Sequence, residues 1–130
     1  LGFGNRWYTP ALHHAVCVEL PSGEAVHGVS APYFLATKLE AFDGRGKGDY
    51  LLSHDIEDIV AVIDGRAELQ TELAESGHDL KDYLADRFAS LLMIGAFMDA
   101  LPGHLSPDHA GQARVLLVTG RMQAIAAVND

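Results

Sequence analysis

The sequence predicts an α+β fold, mostly α: a short N-terminal β-hairpin followed by a bundle of about five helices. Three observations predict it. Residues 11–20 (ALHHAVCVEL) alternate, with Leu12, His14, Val16, Val18 and Leu20 on one side, and Pro21-Ser22-Gly23-Glu24 then turns the chain. From residue 30 onward the apolar spacing changes to that of helices, punctuated by Ser and Asp-Gly steps. The length, 130 residues with 48% hydrophobic, suits one domain with a modest core.

Residues 1–10 (LGFGNRWYTP) hold no clear period. Phe3, Trp7 and Tyr8 are costly to expose together, so the segment should pack on something. Residues 25–30 (AVHGVS) make the return strand of the hairpin. Two strands alone are marginal, so the hairpin should belong to a larger sheet or lie on helices, and 31–130 reads as the helical region of a single domain.

Ser30-Ala31-Pro32 offers a helix start, and the first helix spans 32–43 up to Asp43-Gly44. A glycine-rich loop, Gly44-Arg45-Gly46-Lys47-Gly48, follows. Ser53 caps a helix over about 54–64, closed by Asp64-Gly65. A third helix covers about 66–75, stopped by Gly77. A fourth runs over about 79–99 with Leu80, Tyr83, Leu84, Phe88, Leu91 and Leu92 as its stripe. After Leu101-Pro102-Gly103-His104, the step Ser106-Pro107-Asp108 starts a last helix reaching about 127. It carries Val115, Leu117, Val118, Met122, Ile125 and Val128.

The charge balance is acidic, with 18 Asp plus Glu against 9 Lys plus Arg. A field of that sign repels phosphate backbones and argues against binding nucleic acid over the whole surface. The charge is uneven: Lys38, Arg45 and Lys47 lie within ten residues, while ten acids lie between Asp55 and Asp86. No apolar run approaches the roughly 20 residues of a membrane span, so no membrane partner is expected. The single cysteine, Cys17, excludes a disulfide framework and a multi-cysteine zinc site. It fits a reducing, cytoplasmic compartment.

Lys38 is the most informative residue. On the helix 32–43 the residues Phe34, Leu35, Leu39, Ala41 and Phe42 define the apolar face, and Lys38 falls near its middle. A lysine there must snorkel out or meet an anion. The next helix supplies Asp55 and Asp58, three apart and therefore neighbours on its surface. Asp55 is also favoured by the helix dipole, whereas Asp58 has no such local reason. The three form an ion-pair cluster, structural or catalytic. Arg45 and Lys47, with the amides of the glycine-rich loop, suit an anion such as phosphate. It is not a Walker A loop, since Gly48 follows Lys47.

No metal site is expected. His54-Asp55 with His27 and Asp108 faintly resembles the metal set of phosphohydrolases, but His27 falls in a strand and not in a helical bundle. His13 and His14, adjacent on a strand, face opposite ways. Cys17 reads as a small buried residue.

Residues 30–66 resemble the C-terminal half of nucleotidyltransferase-like proteins of the AbiEii/AbiGii toxin type, in the polymerase-β nucleotidyltransferase superfamily. The stretches that carry the resemblance are PYFLATKLEAF (32–42) and HDIEDI (54–59). The opening Leu1-Gly2-Phe3 with Arg6-Trp7-Tyr8 is similar to the segment after the catalytic sheet. The resemblance implies that Lys38 faces the nucleotide and neutralises triphosphate charge. It implies that Asp55 and Asp58 are the following acidic motif, with Asp58 orienting Lys38 or the acceptor. His54 departs from the pattern, which has a cation there. The family's Gly-Ser motif and Asp-x-Asp pair, which hold two Mg²⁺ ions, have no counterpart before residue 30. The chain therefore reads as the C-terminal portion of such a protein and inactive alone. Mg²⁺ and NTP belong to the complete protein, and neither is expected to bind tightly here. The implied reaction moves a nucleotide from NTP to a hydroxyl on RNA or protein. An antitoxin and a homo-oligomer are candidate partners. The alternative is a non-enzymatic helical interaction module in which Lys38–Asp58 is a structural ion pair and residues 1–30 dock a partner.

Overall fold

Helix α1 begins where the sequence supplies a start signal. Ser30 takes the extended N-cap conformation and Pro32 stands in the first turn, so α1 spans Ala31–Arg45. The computed structural model describes residues 18–19, 25–26 and 30–129. Phe34, Leu35, Leu39 and Phe42 recur along one face of α1 and are buried. The helix runs through the exposed Gly44 and ends two residues beyond the expected 43. Its last turn closes on the Gly46 N–H, which donates to the Phe42 carbonyl at 2.7 Å. The chain then reverses through left-handed backbone at Lys47 (φ 53°) and Gly48 (φ 73°).

Helix α2, His54–Gly65, starts on the Ser53 side chain, which accepts from the N–H groups of Asp55 and Ile56. Ile56, Ile59, Val60 and Ile63 turn its apolar face inward. The short helix α3, Leu69–Ala74, buries Leu69 and Leu73. Helix α4, His78–Leu92, buries Leu80, Tyr83, Leu84, Phe88 and Leu91. The single helix expected over 79–99 is broken. Ile94 is extended (ψ 112°), and the exposed Gly95 restarts the chain as α5, Gly95–Ala100. The β-branched residue and the glycine are both weak helix formers. The break lets Phe97 and Leu101 enter the core. A 3₁₀ turn, Leu101–His104, leads to α6, His109–Ala126, capped by Asp108, whose carboxylate accepts from the Gly111 N–H at 2.7 Å. Val118, Met122 and Ile125 of α6 are buried, while Leu117 of the expected stripe is exposed.

The expected α+β class is corrected: the fold is a helical bundle. Residues 30–129 hold no strand. Paired extended backbone among the described residues is limited to β1, Val18–Glu19, and β2, Ala25–Val26, antiparallel with Val18 opposite Val26. Among the described residues burial is helix on helix. The rest of the expected hairpin, the aromatic segment 1–10, His13, His14, Cys17 and His27 lie outside the described residues.

Helices α1 and α2 pack against each other, α4 packs on α1 and α6, and α6 also packs on α2. The core lies between these four and takes in Leu69 and Leu73 of α3, Phe97 of α5 and Leu101. Polar clamps fix their relative placement. Arg87 of α4 grips Asp43 of α1 through two hydrogen bonds of 2.9 and 2.8 Å. The Tyr83 hydroxyl donates to Glu40 of α1 and accepts from Arg87. Burial, and then the Glu40 carboxylate beside it, hold the Tyr83 phenol above its ordinary range. Arg121 of α6 donates to the carbonyls of Ile63 and Asp64, and Arg114 pairs with the Asp64 carboxylate at 2.6 Å. Two cations thus meet the negative end of α2. No helix among the described residues is long and apolar enough to cross a membrane.

Candidate functional site

The α1–α2 contact brings together three of the residues expected from sequence. Lys38 Nζ lies 2.9 Å from Asp58 Oδ2 and 3.5 Å from Asp55 Oδ1. The helical spacing of Asp55 and Asp58 aims both carboxylates at it. The lysine stem leaves the apolar face beside Phe34, one turn earlier, and its ammonium stands 5.5 Å from that ring. Its side chain is 14% exposed, and both aspartates are buried. Charges buried this far need partners, because desolvation costs several kcal/mol per ion, about as much as pairing returns.

Arg45 joins the cluster from the C-terminal end of α1. Its guanidinium grips Asp55 bidentately, with Nε to Oδ2 at 2.9 Å and Nη2 to Oδ1 at 2.7 Å. From solvent inward the order is Arg45, Asp55, Lys38, Asp58, alternating in sign. Burial pushes the Asp55 carboxyl up, but the Arg45 guanidinium and the Lys38 ammonium outweigh it and hold the group below its ordinary 3.8.

The outer half of this chain faces a cleft of about 450 Å³ between the end of α1, the loop 46–53 and the start of α2. Among the described residues its lining is Lys38, Arg45, Gly46, Asp49, Leu52, Ser53, His54 and Asp55. Asp58 lies behind Lys38 and outside that lining. Of the expected nucleotide-binding set Lys38, Arg45 and Lys47, the first two line the cleft. Lys47 is exposed on the loop and is not part of the lining. Of the loop amides at 44–48 expected to suit an anion, the first three lie in or close helix α1. Gly44 and Arg45 are helical, and the Gly46 N–H is taken by Phe42.

Asp49, Leu52 and Ser53 enter the cleft without having been singled out as site residues. Only Ser53 carried a sequence signal, that of a helix cap. Asp49 and Leu52 carry none, because their place depends on how the loop folds back over the end of α1.

The described residues do not fit a divalent metal ion. Asp55 and Asp58 already face two cations at contact distance. No group of three His, Cys, Asp or Glu side chains among the described residues is arranged to hold one. The cleft brings the cationic side chains of Lys38 and Arg45 beside the carboxylates of Asp49 and Asp55. Comparison with family models, with curated proteins and with solved structures finds no match for this chain.

Proposed function

We propose that this chain is the helical part of a nucleotidyltransferase-like protein, with the Lys38–Arg45 cleft receiving the phosphates of a nucleotide. The observation that carries the reading is Lys38 itself. Its ammonium is nearly buried, is fixed by Asp58 from behind, and still lines a cleft open to solvent.

The geometry gives each residue a task. Asp58 positions the Lys38 ammonium at one point of the cleft floor. Asp55 holds Arg45 across the cleft mouth. An entering phosphate oxygen competes with Asp55 for contact with the two cations. Lys38 and Arg45 then offset the negative charge that moves between phosphoryl oxygens during transfer to an acceptor hydroxyl. The acceptor, on RNA or protein, the cytoplasmic location and an antitoxin partner belong to the same proposal.

A second reading has its own support. Each cation of the cluster already faces a carboxylate. A structural ion pair in a helical interaction module needs no more. Amide chemical-shift titration of the chain with millimolar ATP separates the two. The first reading expects saturable shifts at Lys38, Arg45 and His54 that Arg45→Gln weakens severalfold. Absence of saturable shifts at these residues would refute it and leave the structural module.

A further inference from the structure

The cleft lining includes two residues that the phosphate reading leaves without a task. They are Leu52 and His54, with Leu52 76% exposed and the His54 side chain 80% exposed. Isolated exposed leucines are ordinary. Leu52 differs because the loop that carries it is pinned on both sides. Asp49 Oδ1 accepts the N–H groups of Leu51 at 3.1 Å and Leu52 at 2.8 Å. The Tyr50 ring packs 5.0 Å from Phe42 and 5.9 Å from Phe97, and the Tyr50 carbonyl meets His104 Nε2 at 2.7 Å. On the other side, Ser53 is committed to capping α2. The backbone that carries this apolar side chain is thus fixed beside a charged cleft.

The cations of the cleft are already offset. Lys38 and Arg45 are matched in formal charge by Asp55 and Asp58, and Asp49 adds a third carboxylate. A bare anion must compete with these carboxylates for each contact, so it gains little. A ligand that also covers Leu52 gains apolar burial that no carboxylate contests. The imidazole of His54, two residues on, offers a planar ring for stacking.

We infer that Leu52 and His54 form the specificity face of the cleft and take the planar base of a nucleoside phosphate. Contact with the base, more than polyphosphate charge, sets affinity. The inference rests on the phosphate reading above and adds which part of the ligand is selected, and by which residues. Glu57, 3.3 Å from His54 Nδ1 on the same helix, steadies the ring at the rim.

The test compares ATP with tripolyphosphate on the full 130-residue chain by amide chemical-shift titration. The wild-type chain should bind ATP about fivefold or more tightly than tripolyphosphate. Leu52→Ser should bring ATP down to the tripolyphosphate level and leave tripolyphosphate unchanged. Leu52 is exposed, so this variant tests the rim without disturbing the core. Equal affinity for the two ligands in the wild-type chain overturns the inference while the phosphate reading stands. So does an ATP affinity that Leu52→Ser leaves unchanged. Binding of neither ligand overturns both.

Discussion

Lys38 of α1 and Asp58 of α2 meet at 2.9 Å with the aspartate fully buried. This ion pair ties the two helices at the floor of the cleft. Removing one partner leaves a buried charge without its counterpart, which is far more costly than removing both.

Lys38→Met should therefore destabilise the fold by about 3 kcal/mol or more. Lys38→Met combined with Asp58→Leu should recover at least half of that loss. Urea denaturation of the single and double variants measures it. A single variant within about 0.5 kcal/mol of wild type would show that Asp58 does not depend on Lys38.

Acid should weaken the fold through Asp55. Its folded-state carboxyl titrates below the ordinary 3.8. The unfolded chain then binds the proton more readily in the window between the two values. The stabilisation is complete above the ordinary value and is lost as pH falls through the folded one. Asp55→Asn should be less stable than wild type at neutral pH, and its stability curve should be flatter below about pH 4. Parallel acid limbs for the two proteins would contradict the assignment.

The Tyr83 hydroxyl bridges Glu40 and Arg87 between α1 and α4. Tyr83→Phe keeps the buried ring and removes that bridge, at a cost of about 1–2 kcal/mol. A cycle with Glu40→Ala should show that the two residues are coupled, since each removes the same hydrogen bond. Additive effects in thermal or urea unfolding would rule the bridge out as a source of stability.

Two glycines of α6 should respond in opposite directions. A Cβ on Gly111 would meet the Ser106 carbonyl oxygen at 2.2 Å, in backbone that cannot give way. Gly111→Ala should destabilise by roughly 2–3 kcal/mol. Gly120 lies exposed in the same helix with nothing near its missing Cβ. Gly120→Ala should stabilise by about 0.5–1 kcal/mol. Melting temperatures of the two variants on the same side of wild type would contradict this placement.

Much of α1, α2 and α4 was legible in the sequence because a helix announces itself locally. The spacing of Leu35 and Leu39, of Ile56, Ile59 and Ile63, and of Leu80, Leu84 and Phe88 marks faces that are in fact buried. Ser53 marks a cap that is in fact formed. The same periodicity misled over 79–99, where the pattern continues across Met93 and Ile94 but the backbone does not. It also misled on fold class. Alternation over 11–20 marks a strand, whereas the core of the described residues is built by helices alone.

By itself the sequence determined that Lys38 stands on an apolar helix face and needs an anion. It also determined that Asp55 and Asp58 share one side of a neighbouring helix. Both follow from a period of 3.6 residues and require no knowledge of what packs where. Only the tertiary structure decided that those two faces meet. It alone brought Arg45 back onto Asp55 while leaving Lys47 outside the cleft, and set Leu52 on the rim. These outcomes depend on the packing of α1 against α2 and on the path of the loop 46–53. Those are set by contacts between residues distant in sequence, such as His104 with Tyr50 and Phe97 with Tyr50. No local pattern encodes such contacts.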